Sequence, residues 1–281
     1  MRAVCCACFR HCALEEGSTG FCGARVNKDG QVVLKDYGLV SSLALDPVEK
    51  KPLARFYPGS MVYSVGFFGC SMACPFCQNH EIAKPEKGVR ERYGAKVTPE
   101  QVVSAALSMQ NRGCIGIAYT YNEPLTSWEF VRDCSKLARE AGLKNVLVTN
   151  GMASPEVLAE VFPLTDAMNI DLKAFREQTY REVLGGSLPA VQAFIEIAVR
   201  SCHVELTTLI VPGMNDSDAE MDELSRWVRT LDEGKGEIPL HVTRFFPRYQ
   251  MTDREATSVR RVRELAKRAG QNLRHVYVGN C

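Results

Sequence analysis

Gly69-Cys70-Ser71-Met72-Ala73-Cys74-Pro75-Phe76-Cys77-Gln78-Asn79 is the stretch from which the rest of the chain is best read. Three cysteines stand at Cys-x3-Cys-x2-Cys spacing just after Met61–Val65, an apolar run of strand character. No fourth cysteine is close enough in sequence to complete the set. A closed structural zinc site takes four protein ligands. A cubane iron–sulfur cluster held by three thiolates keeps one iron open for another ligand. An open position belongs to a reactive metal site, so the spacing points to chemistry rather than to a structural staple.

Outward from this stretch, strand and helix patterns alternate to the end of the chain. Near-continuous apolar runs at Met61–Val65, Ile115–Tyr119, Asn145–Thr149, Ala167–Ile170, Val204–Val211 and Leu240–Phe245 suit parallel strands covered on both faces. Between them lie helix starts. Thr98-Pro99-Glu100-Gln101 combines an N-cap, a proline at the first helical position and a capping-box glutamine. Thr126-Ser127-Trp128-Glu129 reads as a second capping box, and Ser154-Pro155, Ser217-Asp218 and Thr252-Asp253-Arg254-Glu255 as further starts. Residues 176–184 and 188–200 read as a helical pair. Six alternations predict an α/β fold, an open partial (β/α)6 barrel short of the eight units of a closed one. The expected division is an N-terminal cysteine-containing segment, 1–60, followed by the barrel, 61–281.

The opening segment carries Cys5-x2-Cys8-x3-Cys12-x9-Cys22, and Asp29-Gly30 predicts a hairpin turn with strands at Gln31–Lys35 and Tyr37–Leu43. The cysteine quartet is a metal signal that leaves zinc, mononuclear iron, a second iron–sulfur cluster and idle thiols open. Asp46-Pro47-Val48-Glu49-Lys50-Lys51-Pro52 reads by composition as a solvated linker, the alternative being charges at the mouth of a site.

The bulk numbers bound the rest. The chain has 281 residues, 46% of them hydrophobic and 24% charged, with a formal net charge of +1. That balance gives no electrostatic reason for nucleic-acid or membrane-surface binding. Arg260-Arg261-Val262-Arg263 lies on a helical pattern and reads as a solvated face. Twelve cysteines with no signal-peptide h-region and no membrane-length apolar run are the usage of a cytoplasmic protein whose thiols stay reduced. Clustered thiols then read as ligands, and Cys114, Cys134 and Cys202, in apolar patterns, as packing residues.

In such folds ligands bind at the carboxyl ends of the strands. There the sequence places the cysteine triad, then Thr120-Tyr121-Asn122-Glu123-Pro124, Asn150-Gly151, Asp171-Leu172-Lys173, Pro212-Gly213-Met214-Asn215-Asp216 and Phe246-Pro247-Arg248-Tyr249. Singly each has a plain explanation, Asn150-Gly151 as a turn and Asp171 as a cap. Together they form one rim.

Cys70-x3-Cys74-x-Phe76-Cys77 resembles the cluster motif of radical SAM enzymes. The resemblance implies a 4Fe–4S cluster on Cys70, Cys74 and Cys77, with S-adenosylmethionine (SAM) on the open iron and Phe76 beside its adenine. Asn122-Glu123-Pro124 sits where that family's Gly-Gly-Glu-Pro holds the SAM amino group, with Tyr121-Asn122 in place of the glycine pair. Asp171-Leu172-Lys173 and Val211-Pro212-Gly213 resemble motifs of glycyl-radical-enzyme activases, which implies that Asp171 and Lys173 meet the ribose and methionine carboxylate; Asn150 joins this set from the rim. Closer still is the radical SAM member of the AmmeMemoRadiSam system. It is matched by the quartet Cys5, Cys8, Cys12 and Cys22, by Asp46-Pro47-Val48-Glu49-Lys50-Lys51-Pro52-Leu53, by Tyr119-Thr120-Tyr121-Asn122-Glu123-Pro124 and by Val276-Tyr277-Val278-Gly279-Asn280. Relatives of that pattern commonly continue beyond the position of Cys281 into a further cysteine-bearing tail.

The resemblance implies reductive cleavage of SAM to a 5′-deoxyadenosyl radical that takes hydrogen from a substrate the sequence leaves open. It also implies a reductant such as ferredoxin or flavodoxin, and Memo- and AMMECR-type proteins as pathway partners. Activation of a glycyl-radical partner is the narrower alternative. A non-catalytic metal-binding or electron-transfer protein is the alternative from another class.

Overall fold

The apolar runs form the strands their composition suits. In the computed structural model, which describes all 281 residues, Met61–Gly66, Cys114–Thr120, Lys144–Thr149, Ala167–Asp171, His203–Ile210 and Leu240–Arg244 lie side by side, parallel and in chain order. Both faces are covered; in Cys114–Thr120 only Ile115 is less than buried.

Two more strands extend this set. Val276–Gly279 adds a seventh parallel strand beside Leu240–Arg244. Ser42–Pro47 pairs antiparallel with Met61–Gly66 at the opposite edge, so the opening segment contributes a strand to the central sheet. Both were hard to see because edge strands need no continuous apolar run: Val276–Gly279 has no buried residue, and Ser42–Pro47 ends in Asp-Pro. The result is an open eight-stranded sheet within an α/β fold, mostly parallel, as an incomplete barrel requires.

The helix signals divide by whether their polar groups were free to cap. Thr98 and Gln101 form the reciprocal capping box at the start of Pro99–Ser108, with Gln101 N to Thr98 Oγ1 at 3.3 Å and Thr98 N to Gln101 Oε1 at 2.9 Å. Ser217 caps Asp218–Thr230, and Pro155–Val161 begins after Ser154. The expected box at residues 126–129 is absent. Thr126 Oγ1 donates to Glu123 O at 2.8 Å inside a tight turn, and Glu129 is held by Arg25 at 2.6 Å, so neither side chain caps Trp128–Glu140. Nor does a helix start at residues 252–255. Val259–Ala269 begins later, capped by Ser258, with Val262 buried and Arg260 exposed as a solvated basic face requires. Of the helical pair, residues 176–184 give only a π-helical turn, Thr179–Leu184, followed by Leu188–Ala198.

Asp29-Gly30 makes the expected hairpin turn, both residues at positive φ, between Arg25–Lys28 and Gln31–Leu34. In place of a strand over residues 37–43, only Leu39–Val40 pairs, with Ala95–Lys96, before Ser42 begins the edge strand.

The stretch after Pro47 is not a solvated linker. It folds under the amino ends of the strands, where Val48, Leu53 and Phe56 are buried with Val62, Ala118, Val146 and Ala167. Polar groups lock it there: Glu205 accepts from Ala54 N at 2.9 Å and Arg55 N at 2.7 Å, and Asn169 Nδ2 donates to Pro52 O at 2.8 Å. The base of the sheet is thus plugged and its carboxyl end left open. No helix is long and apolar enough to cross a membrane.

Candidate functional site

The triad sits on the loop that leaves the first parallel strand. Gly69 starts it at φ +106°, and a Cβ there would lie 2.4 Å from Cys22 O, so only glycine permits this approach to the opening segment. Backbone and side-chain N–H groups face the first sulfur. Met72 N donates to Cys70 Sγ at 3.4 Å and Asn150 Nδ2 to the same sulfur at 3.5 Å. Burial pushes the Cys70 thiol up to about 12, aided by the nearby Glu123, and the Cys74 thiol up to about 11. Forming three thiolates there requires a cationic centre to offset the loss of water.

One cleft at the carboxyl ends of the strands is lined by Cys70, Cys74 and Cys77 and by all six candidate SAM contacts, Phe76, Asn122, Glu123, Asn150, Asp171 and Lys173. Glu123 is 3% exposed and accepts from Leu125 N at 3.1 Å, Thr149 Oγ1 at 2.8 Å and Asn150 N at 2.8 Å. Its burial pushes the carboxyl up to about 7, opposed only in part by these neutral donors and reinforced by Asp171. A carboxylate offers about four acceptor positions, so three donors leave room for one more. Asn122 is engaged at both ends, Oδ1 accepting from Phe67 N at 2.9 Å and Nδ2 donating to Gly69 O at 2.7 Å. It clamps the loop that presents the triad. Asn150 Nδ2 also reaches Ser71 Oγ at 3.2 Å, while its Oδ1 accepts from Met152 N at 3.1 Å.

Asp171 and Lys173 pair at 2.8 Å across the rim. Burial acts to lower the Lys173 ammonium, but Asp171 and Cys74 more than offset it and hold the group charged. Phe76 is buried and packs edge-on to Phe245, ring centroids 6.4 Å apart.

A match to the Radical SAM superfamily spans residues 64–225. An uncharacterized protein of Methanocaldococcus jannaschii is 40% identical over 280 residues, covering 98% of this chain and 80% of that one. The chain belongs to the radical SAM superfamily. Within it, similarity extends to the pyruvate formate-lyase 1-activating enzyme of Escherichia coli, 26% identical over 171 residues, 59% of this chain and 67% of that enzyme. Among solved structures, Streptococcus suis SuiB superposes with a TM-score of 0.60 at 13% identity, over 78% of this chain. The matched part is 49% of SuiB, about half its length.

The radical SAM family carries a 4Fe–4S cluster and SAM, which makes the further polar groups in the cleft informative. Asp46, Lys51 and Tyr121 line it too, so the stretch 46–52 follows its alternative reading, charges at a site, rather than that of a solvated linker. Asp46 Oδ2 accepts from Lys51 Nζ at 2.8 Å, Ser64 Oγ at 2.9 Å and Tyr121 Oη at 2.6 Å, with the Lys51 ammonium 4.7 Å from the Tyr121 ring centroid. Tyr121 holds φ +70°, the left-handed conformation a glycine adopts freely. The backbone shape that suits glycine is therefore kept by a tyrosine, whose side chain joins Asp46 and Lys51. The signal in sequence was the Tyr-Asn departure itself.

The quartet lies beside this cleft but outside it. Cys5, Cys8, Cys12 and Cys22 line a separate cavity that Glu123 and Ser71 also border. Nowhere in the chain do three or more histidine, cysteine or carboxylate side chains converge as they would on one metal ion. A cubane does not ask this of the triad, because each of its thiolates binds a different iron.

Proposed function

We propose that this protein cleaves SAM reductively at a 4Fe–4S cluster carried by Cys70, Cys74 and Cys77 and uses the product radical to take hydrogen from a substrate. The observation that carries the reading is the single cleft lined by the triad and all six candidate SAM contacts. The donor set fits the group: three largely buried thiols, with two N–H donors on Cys70, and no fourth cysteine lining the cleft. When bound, the reduced cluster supplies the electron that breaks a carbon–sulfur bond of SAM, giving methionine and a 5′-deoxyadenosyl radical.

The chain's own residues do the positioning. Glu123, with one acceptor position left, suits the SAM amino group, and Lys173, held charged by Asp171, suits the methionine carboxylate. Asp171 keeps an exposed edge for a ribose hydroxyl. Phe76 offers a buried aromatic edge for adenine. Asn122 and Asn150 act on the protein, fixing the triad loop and donating to Cys70. The plug of residues 48–56 closes the amino end of the sheet to water and stray hydrogen donors.

The opening segment, 1–60, is read as a cysteine-bearing cap on the catalytic part, 61–281. The quoted motifs support membership of the AmmeMemoRadiSam type, with Memo- and AMMECR-type proteins as partners and a ferredoxin or flavodoxin as reductant. Similarity to a pyruvate formate-lyase activating enzyme supports a second reading, hydrogen abstraction from a protein glycine.

Anaerobic reconstitution with iron and sulfide, then SAM and dithionite, tests the proposal. The expected result is 5′-deoxyadenosine from the wild type and none from Cys74→Ala. Equal yields from both would overturn the assignment. A glycyl radical raised in a candidate partner would select the second reading.

A further inference from the structure

We infer that Cys5, Cys8, Cys12 and Cys22 hold a second cubane iron–sulfur cluster, in its own cavity beside the SAM cleft. All four thiols line that cavity, with Ala7, Ala153 and Leu125 supplying apolar walls. Cys6, in the same run, is exposed and its thiol turns to Val4 O, so the segment sorts ligand positions from an idle one.

The local backbone repeats the pattern seen at the triad. The N–H two residues after the sulfur donates to it at Cys22 from Ala24, at 3.5 Å, as it does at Cys70 from Met72, at 3.4 Å. Donors fixed on sulfur by the chain itself stabilise thiolates before any metal arrives and tune a cluster's potential.

Arg25 adds an independent observation. It is 5% exposed, lines the cavity and is held by Glu129 through both terminal nitrogens, at 2.9 and 2.6 Å. Its Nε–H has no partner in the protein. A buried guanidinium N–H left unpaired is costly, and a cluster sulfide in the cavity would satisfy it. Arg10 contributes more positive charge on the wall, fixed by Nε to Ser71 O at 2.6 Å and by a second bond to Gly185 O. Two arginines suit a tetrathiolate group with net negative charge.

Zinc would require four sulfurs about 2.3 Å from one point. The quartet surrounds a space without converging on a single ion, as the triad does in its own cleft. The cavity they line is the place a core of several atoms would occupy, and counts of iron and sulfide separate it from a single zinc.

The cavity is tied to the SAM site by backbone. Phe9 N donates to Met152 O at 3.1 Å and Ser154 N to Ala7 O at 3.2 Å, joining the quartet loop to the residues just after Asn150. Ser71, next to Cys70, and Glu123 form the shared wall.

The test is independent of SAM cleavage. Full-length Cys70→Ala/Cys74→Ala/Cys77→Ala protein is reconstituted anaerobically with ferrous iron and sulfide, beside the wild type and Cys5→Ala/Cys8→Ala/Cys12→Ala/Cys22→Ala protein. The expected triad-deleted protein holds about four irons and about four sulfides with a cubane Mössbauer signature, and the wild type about twice that. Its reduced signal does not respond to SAM. Should the quartet-deleted protein fail to fold, Cys12→Ser alone is used, with loss of the SAM-insensitive signal expected. Binding of zinc alone by the triad-deleted protein, no stoichiometric iron in it, or a wild-type content of one cluster would each overturn the inference.

Discussion

Two buried glutamates sit at opposite ends of the same sheet and behave in opposite ways. Glu205, at the plugged base, is fully buried and accepts from His203 at 2.9 Å, His241 at 2.7 Å and the N–H groups of Ala54 and Arg55. Burial works against its charge, but these four donors outweigh it and hold the carboxyl down to about 2. Glu123, at the open rim, has three neutral donors and an acidic neighbour, and burial pushes it up to about 7. The base carboxylate is matched to partners the protein already contains. The rim carboxylate is left short of positive charge, as a group that awaits a cationic ligand should be. The residue type is the same and both side chains are shut off from solvent; the donors and charges around them separate structure from function.

The comparison can be broken at several points. The largest effect belongs to the rim: Cys74→Ala is expected to lower 5′-deoxyadenosine formation at least about a thousandfold while leaving the melting temperature nearly unchanged. A large thermal destabilisation would place Cys74 with the structural groups. At the base the order reverses. Glu205→Ala strands four donors and is expected to cost about 3–5 kcal/mol in urea denaturation, with reconstituted protein keeping its SAM affinity.

The pH dependence of the metal-free protein should separate the two carboxylates by sign. Glu205 has a folded value of about 2 against an ordinary 4.5, so its contribution is full above 4.5 and is lost as pH falls through 2. Glu123 has a folded value of about 7, so its contribution is full below 4.5 and is lost as pH rises through 7. Each amounts to about 3 kcal/mol. Glu205→Gln should remove the acid limb and Glu123→Gln the slope between 4.5 and 7, read from unfolding curves at fixed temperature. Slopes of the same sign would break the contrast.

Smaller effects sharpen the rim itself. Lys173→Met should weaken SAM binding about tenfold to thirtyfold by calorimetry, because it removes the charge that Asp171 holds in place. Asn122→Ala should cost about 1–2 kcal/mol of stability through the loss of its bonds to Phe67 and Gly69. It should affect SAM affinity less than Lys173→Met, since both ends of the amide bind protein. The reverse order would make Asn122 a direct ligand.

Much of this was legible in the residues. Six apolar runs gave six parallel strands because strands covered on both faces must be apolar throughout. The polar residues after the first four of them line the cleft, because side chains at those strand ends face it, whereas the stretches 212–216 and 246–249, expected on the same rim, do not line it. The Asp29-Gly30 turn and the Thr98 box were read correctly because each is complete within four residues. The misread signals had partners elsewhere in the chain. Glu129 left its cap for Arg25, about a hundred positions earlier in sequence by the same reach that loop closure permits. For Asp46 and Lys51, polar and proline-bounded, composition favours a linker over charges at a site, because nothing local shows that Tyr121 and Ser64 lie opposite.

The sequence by itself determined the fold class, the spacing of the triad and the polar groups at four strand ends, since spacing and periodicity are local properties of the chain. Only the tertiary structure decided what each rim group does. Asn122 faces the triad loop, Glu123 is undercharged while Glu205 is matched, and the four early cysteines surround one cavity behind Ser71. Those outcomes depend on which donors and charges meet across elements far apart in sequence, and on how little water reaches them.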